Sequence, residues 1–215
     1  GQGEYPYKTI IRNNVAESVA FNLLDIGYNT HAIHNNEASF YGRKLVFANL
    51  GIETFSSEEI LYLPEYTPLG WAKDATLKDA IMDCLKSTDK KDFVYTITVQ
   101  AHGGYPTEPI LENPVIEVSG TDDEGWRNSV EYFVNQNYET DQFIGELVKA
   151  LEEYPEDTVL VLFGDHLPSL GFEESDLDNG SLFETEYVIW DNMDLEITDR
   201  PVTTYQLSAF VLDKL

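Results

Sequence analysis

An aspartate and a histidine stand side by side after a continuous apolar run. The run is Val159 to Phe163, and Gly164 separates it from Asp165 and His166. Such runs are typical of a strand covered on both faces, and ligands of α/β sheets gather beyond the carboxyl ends of these strands. A carboxylate next to an imidazole suits a divalent ion such as Mn²⁺ or Zn²⁺, and Gly164 lets the chain turn sharply. The spacing predicts a metal site; a solvated turn is the alternative.

Two other histidines also follow predicted strands. His34 ends an extended segment, and His102 follows a segment in which apolar and polar residues alternate. Because the carboxyl ends of parallel strands open on one edge of a sheet, His34 and His102 are predicted to share a pocket with His166. His31 lies three residues before His34, so the period-2 geometry of a strand sends its ring to the opposite face.

A cation and an aromatic ring close to His34 extend the predicted site. Arg43 offers the planar pair of donors that phosphate favours, and Tyr41 stands where it can pack against the rest of a substrate. With a metal ion to activate a nucleophile, imidazole and guanidinium groups can hold the oxygens of a phosphoryl or sulfuryl group. The alternatives are a solvated Arg43 and a core packing role for Tyr41.

The charge balance narrows the partners. Lys and Arg number 13 against 39 Asp and Glu, a formal net charge of -26. Such a surface repels nucleic acid and anionic lipid, so neither is expected as a partner. It also repels a phosphate or sulfate ester unless a bound metal and a few cations reverse the sign locally.

The remaining features predict one soluble α/β domain over residues 1–215. Cys84 is the only cysteine, it lies in a helical apolar pattern, and no internal disulfide is possible. No apolar run approaches the roughly 18 residues that span a bilayer. Helices are predicted from a capping box at Asn14 and Glu17 to Gly27, and over 73–85, 124–153 and 203–212. Because strands alternate with them, we expect an α/β/α sandwich with a mainly parallel sheet.

Four motifs carry a family resemblance. They are His34-Asn-Asn, Ser39-Phe-Tyr-Gly-Arg43, Thr98-Val-Gln-Ala-His102-Gly-Gly-Tyr and Phe163-Gly-Asp-His166-Leu-Pro-Ser-Leu-Gly171. In this order, and over nearly the whole chain, they resemble the extracellular domain of the lipoteichoic acid synthase family. These proteins are sulfatase-like phosphoglycerol transferases of the alkaline phosphatase superfamily.

The resemblance implies roles for the motif residues. Asp165 and His166 match metal ligands, most often of Mn²⁺, with Mg²⁺ or Zn²⁺ as alternatives. The positions that match the binding site for glycerol phosphate, or for another phosphate or sulfate ester, are His34, Tyr41, Arg43 and His102. Tyr41 stands where the family usually has Trp, and Asn36 where Asp is common, so the substrate itself stays open.

The family's remaining groups have no counterpart here. A Glu ligand and a nucleophilic Thr precede the first motif in the family, and Thr9 is too close to His34 to match the latter. The resemblance therefore implies an N-terminally truncated catalytic domain, with half a metal shell and no catalytic nucleophile, that is inactive alone. The full-length protein is expected to be membrane-anchored on the extracellular face and to form a phosphoryl-threonine intermediate.

Two other functions fit the same residues. One is a sulfatase, or a phosphodiester or phosphonate hydrolase, of the same superfamily with a Cys or Ser nucleophile. The other is a non-catalytic surface module that binds anionic glycans. The sequence upstream of this chain separates them, because transmembrane helices with a Thr nucleophile indicate the transferase.

Overall fold

The computed structural model describes residues 5–9, 11–196 and 198–214. In chain order the regular elements are α1 (Val19–Asp25), β1 (Asn29–His34), α2 (Arg43–Asn49), β2 (Thr54–Ser56), α3 (Leu77–Leu85), β3 (Asp92–Ile97), α4 (Glu124–Glu152), β4 (Val159–Phe163), β5 (Tyr187–Asp191) and α5 (Leu207–Leu212). The chain divides into two compact units, Gly1–Glu146 and Leu147–Leu215. The assignment of a single domain stays a prediction.

The first unit contains a parallel sheet with the order β2, β1, β3. The central strand β1 is buried from Thr30 to His34, as expected for a strand with neighbours on both edges. In the register, His34 lies opposite Ile97, the last residue of β3. The carboxyl ends of β1 and β3 therefore open on the same edge, which positions the loops that carry His34 and His102.

Helix α1 begins later than the sequence predicts. The side chain of Ser18 caps it by accepting hydrogen bonds from the backbone N–H groups of Ala20 and Phe21, 3.1 and 3.4 Å away. The predicted capping box at Asn14 and Glu17 is wrong. The Ser18 hydroxyl also donates to the carbonyl oxygen of Leu50, so a contact distant in sequence helps to set the helix start. Gly27 does end the segment, with a φ of 97°.

The other helices largely follow their predicted bounds. A short 3-10 turn, Asp74–Thr76, precedes α3, and α4 ends one residue before the predicted position. Burial raises the pKa of the Cys84 thiol to about 11, which agrees with a packing role. Among the described residues, no helix is both long and apolar enough to cross a membrane.

The second unit contains a two-stranded antiparallel sheet. Strand β4 pairs with β5, with Val159 opposite Asp191 and Phe163 opposite Tyr187. The prediction that β4 is covered on both faces is wrong: its residues are half-buried and Phe163 is 47% exposed. An apolar run does not reveal how many faces of a strand are covered, because that depends on segments elsewhere in the chain.

Candidate functional site

His34 is buried and keeps one ring nitrogen without a partner. Its side chain lies at the end of β1, where Nδ1 is 2.9 Å from the carbonyl oxygen of Ile97. A carbonyl only accepts, so Nδ1 carries the hydrogen and Nε2 holds a lone pair. Nε2 is buried and has no hydrogen-bond partner. Burial, helped by the nearby Arg43 and His102 and opposed by the hydrogen bond to Ile97, lowers the pKa of His34 to about 4, so the ring is neutral at pH 7.

Arg43 presents a second buried polar atom without a partner. It begins α2 and is half-buried, and its Nη1 atom lacks a hydrogen-bond partner. Burial lowers the pKa of the Arg43 guanidinium from its usual high value. The group is nevertheless protonated at pH 7. Its central carbon lies 5.2 Å from the ring centroid of Phe40 and 5.7 Å from that of Tyr41. The two rings orient the cation and leave Nη1 available to an anion.

Tyr41 adopts a left-handed backbone conformation, which is unusual for any residue other than glycine. Its φ is 58°, and Gly42 follows with a φ of 66°, so the chain makes a left-handed turn just before α2. Such strain is often retained at functional sites. The Tyr41 ring is partly exposed, which excludes the core packing role. The ammonium of Lys8 lies 4.7 Å from its centroid, and this second cation has no signal in the sequence near Tyr41.

His102 lies in a tight turn after β3. The backbone N–H of His102 donates to the carbonyl oxygen of Val99 at 2.9 Å. Its exposed ring packs edge-on against Trp71, with 5.3 Å between the ring centroids. In the first unit, Arg43 and His102 both influence the pKa of His34, and Arg43 also lies against Tyr41. Trp71 was not predicted, because it lies in a loop without a recognisable motif.

His31 belongs to a different set of contacts. Its Nε2 donates to Asp92 at 2.9 Å, and its Nδ1 is hydrogen-bonded to the Thr54 hydroxyl at 2.6 Å. His34 shares neither partner, in agreement with the prediction that the two rings point to opposite faces of β1. The His31 contacts link β1 to β2 and β3 and have a structural role.

Asp165 and His166 form an exposed pair in the second unit. Asp165 Oδ2 lies 3.7 Å from His166 Nε2, and the two side chains are 81% and 62% exposed. His166 Nδ1 donates to the carbonyl oxygen of Leu167 at 2.8 Å, which leaves the Nε2 lone pair free, as in metal-binding histidines. Two ligands about 2.1 Å from one ion lie at most about 4.2 Å apart, so the pair fits a shared ion.

The remaining ligands of such an ion are not apparent. Among the residues that the structure describes, no group of three or more His, Cys, Asp or Glu side chains is placed to hold a metal. The pair therefore fits two positions of a coordination shell rather than a complete one.

Gly164 is needed before this pair for a different reason from the predicted one. Its φ is not positive, so it does not provide a left-handed turn. A Cβ at this position would lie 3.3 Å from the Cβ of Thr185, whose hydroxyl donates to the Gly164 carbonyl oxygen at 2.8 Å. The glycine permits the Thr185 side chain to lie close to the backbone at this position.

Comparison with known proteins identifies one family. The sequence model of the family described as Sulfatase matches residues 3–213. A "Putative cyclic beta-1,2-glucan modification protein" of Rhizobium meliloti (strain 1021) is 31% identical over 169 residues, 78% of this chain and 26% of that protein.

Solved structures share the fold. The Streptococcus pyogenes phosphoglycerol transferase GacH, in complex with sn-glycerol-1-phosphate, has a TM-score of 0.70 at 20% identity, over 87% of this chain and 50% of that chain. The lipoteichoic acid synthase LtaP from Listeria monocytogenes has a TM-score of 0.68 at 18% sequence identity. The match covers 87% of this chain and 49% of that chain. The soluble domain of the Neisseria meningitidis lipooligosaccharide phosphoethanolamine transferase A has a TM-score of 0.56 at 20% sequence identity. The match covers 81% of this chain and 54% of that chain.

The family match confirms the predicted resemblance at the level of the sulfatase family, to which this chain belongs, and the solved structures confirm the predicted fold class. The chain spans 26% of the length of the curated relative and 49 to 54% of the three structures.

Proposed function

Since the chain belongs to the sulfatase family, we propose that it is part of a metal-dependent phosphoglycerol transferase. In this proposal, His34, Arg43 and His102 bind the glycerol phosphate group, and Tyr41 packs beside it. Asp165 and His166 contribute two ligands to a divalent ion. The proposed ion is Mn²⁺, with Mg²⁺ or Zn²⁺ as alternatives.

One observation carries the choice of substrate: His34 Nε2 and Arg43 Nη1 are both buried without a partner. Buried polar atoms are rarely left unpaired, so a ligand that completes them is expected. The Nε2 lone pair of neutral His34 needs a donor, and Nη1 of Arg43 needs an acceptor. Glycerol phosphate offers a hydroxyl for the first and phosphate oxygens for the second.

The charges around His34 favour glycerol over ethanolamine. The guanidinium of Arg43 acts on His34 and helps to lower its pKa, so this cation makes the potential there more positive. A neutral hydroxyl is compatible with this potential. An ammonium group would be repelled and would lack the carboxylate that a buried cation requires.

The metal site depends on the tautomer of His166. The hydrogen bond from Nδ1 to the carbonyl oxygen of Leu167 keeps the Nε2 lone pair directed away from the backbone, next to the Asp165 carboxylate. A bound divalent ion stabilises charge on a phosphoryl oxygen and activates an oxygen nucleophile. We assign the nucleophile to a Thr in the rest of the whole protein, so this chain alone is expected to be inactive.

A neutral glucan is the proposed acceptor. The Rhizobium meliloti relative is named for the modification of a cyclic β-1,2-glucan. A net charge of -26 repels anionic polymers and leaves a neutral carbohydrate unaffected. A reaction on such an acceptor fits a whole protein anchored in the membrane with its catalytic domain outside the cell.

Calorimetric titration of this chain with sn-glycerol 1-phosphate and with phosphoethanolamine tests the substrate. We expect glycerol phosphate to bind about tenfold or more tightly, because burying an uncompensated charge is costly. Arg43→Ala should weaken its binding by about 10- to 100-fold, the range for a hydrogen bond to a charged group. The control is Arg127→Ala, which removes an exposed guanidinium that pairs with Glu124 at 3.3 Å.

Other outcomes would contradict the proposal in distinct ways. Tighter binding of phosphoethanolamine would indicate a phosphoethanolamine transferase. Equal losses in Arg43→Ala and Arg127→Ala would show that binding is unspecific. For the whole protein with Mn²⁺, release of free glycerol phosphate without a modified glucan would indicate a hydrolase.

A further inference from the structure

We propose that Asp74 is the positioning residue that holds both histidine-bearing loops of the glycerol phosphate site. Asp74 does not touch the ligand site; it acts through Asn35 on one side and through the turn before His102 on the other. The inference rests on the proposed function only for the identity of the ligand.

The Asp74 carboxylate is a buried acceptor for four donors. Asp74 is 0% exposed and begins the 3-10 turn before α3. Its Oδ1 accepts from Asn35 Nδ2 at 2.8 Å and from the backbone N–H groups of Val99 and Gln100 at 3.2 and 3.3 Å. Its Oδ2 accepts from the Thr140 hydroxyl, on α4, at 2.8 Å. One side chain thus joins the ends of β1 and β3 to α4.

The link to His34 runs through the next residue in the chain. Asn35 is buried, and its Nδ2 donates to the carbonyl oxygen of Ala72 at 3.1 Å as well as to Asp74. Both amide hydrogens are therefore used. They hold the backbone directly after His34, whose ring must keep its contact with Ile97 to leave Nε2 facing a ligand.

The link to His102 runs through a turn. Asp74 holds the N–H groups of Val99 and Gln100, and the Val99 carbonyl oxygen accepts the N–H of His102 at 2.9 Å. The Gln100 side chain completes the link in the other direction, because its Oε1 accepts the backbone N–H of Asp74 at 2.8 Å.

A carboxylate suits this position because it only accepts hydrogen bonds. Burial raises the pKa of Asp74, and the hydrogen bonds from Asn35, Thr140, Val99 and Gln100 oppose that shift. Losing the carboxylate would leave these buried donors without an acceptor, at a cost of about 1–3 kcal/mol for each one left unpaired. The requirement comes from donors on separate loops that must converge on one point.

The imidazole resonances of the histidines provide the first test, without any ligand. In long-range ¹H–¹⁵N spectra, Asp74→Ala should shift the resonances of both His34 and His102. The matched control is Asp92→Ala, which removes another buried carboxylate of the same unit and should shift His31 instead. Asn35→Ala, which cuts only one link, should shift His34 and leave His102 unchanged, and it tests the proposal even if Asp74→Ala does not fold.

Affinity for sn-glycerol 1-phosphate provides the second test. Asp74→Ala should weaken binding by about tenfold or more, because small displacements of binding groups have large effects. Asp74→Asn should restore most of it, since its oxygen can accept the same three N–H groups while its amide donates to Thr140. Asp92→Ala should lower the melting temperature and leave affinity within about twofold, as expected for a distant site.

The two proposals fail separately. If the wild-type chain does not bind glycerol phosphate, the proposed function is wrong, and the imidazole spectra still decide the role of Asp74. Unchanged His34 and His102 resonances in Asp74→Ala, or equal losses of affinity in Asp74→Ala and Asp92→Ala, would overturn the positioning role.

Discussion

The two candidate sites differ most in their exposure to water. In the first unit, His34 is 2% exposed and faces a ligand position with a lone pair that nothing satisfies. In the second unit, the side chains of Asp165 and His166 are 81% and 62% exposed. The protein itself organises the first site, whereas the second consists of two exposed side chains to which we assign a divalent ion only as a proposal.

This contrast has an energetic basis. A buried donor or acceptor without a partner costs about 1–3 kcal/mol, so a ligand that supplies the partner gains that energy in addition to its own contacts. An exposed carboxylate gains little from a new neighbour, because it must first lose its water. Histidine is the residue type that both places share, and burial separates the behaviour of His34 from that of His166.

The largest expected effect is on the pH dependence of stability. His34 has a pKa of about 4 in the folded chain and about 6.5 when unfolded. As pH falls between these values, the unfolded chain takes up a proton that the folded chain does not, so stability is lost by up to about 3 kcal/mol. Urea unfolding of the wild type and His34→Gln between pH 4 and 7 measures this, and the variant should lack that part of the loss.

His166→Gln is the matched control for this measurement, since it changes a histidine whose ring is exposed. Its stability should follow the wild-type curve across the same pH range. If His34→Gln also follows the wild-type curve, the buried neutral ring is not what distinguishes the first site.

The next effect is on metal affinity. We expect this chain to bind Mn²⁺ weakly, and Asp165→Ala or His166→Ala to weaken binding by about tenfold or more, since even indirect contacts to metals contribute that much. Calorimetric titration with Mn²⁺ alone measures this. Asp178→Asn removes an exposed acid of the same unit and controls for the general attraction of a chain with charge -26. A similar loss in this control would mean that the ion is attracted by net charge only.

The smallest effect concerns the backbone before the metal pair. Gly164→Ala would place a Cβ 3.3 Å from that of Thr185, and this overpacking should destabilise the chain by about 1 kcal/mol. Gly145→Ala lies in α4 with no atom near its Cβ and should instead stabilise the chain by about 1 kcal/mol. Thermal unfolding distinguishes the two, and a stabilised Gly164→Ala would show that the turn is looser than the contact with Thr185 indicates.

Local patterns in the sequence predict much of the fold. The 29 residues of α4 have a long helical repeat, so the bounds of this helix differ by one residue from the predicted ones, and β1 and β3 are the extended segments expected before His34 and His102. The start of α1 was predicted wrongly because the contact of Ser18 with Leu50, distant in sequence, helps to make Ser18 the N-cap of this helix. The burial of β4 was misjudged because apolar residues do not show what covers them.

Arg43 and His102 act on His34, and Arg43 lies against Tyr41, while the residues that hold these groups in place were not apparent in the sequence. From the sequence alone, Asp74 resembles an ordinary exposed acid at the start of a helix, where its charge would interact favourably with the helix dipole. Its role becomes visible only when Asn35, Val99 and Thr140 converge on it. Likewise, Trp71 has no pattern that links it to His102.

The sequence by itself determined the chemistry that is available. It carries the histidines at strand ends, the Asp165-His166 pair, the acidic charge and the ordered motifs of the family, because side-chain types and their local spacing do not depend on folding. Only the tertiary structure decided which of these groups are buried. It made His34 neutral, left Arg43 Nη1 unpaired and kept Asp165 in water, because desolvation depends on atoms contributed by distant parts of the chain.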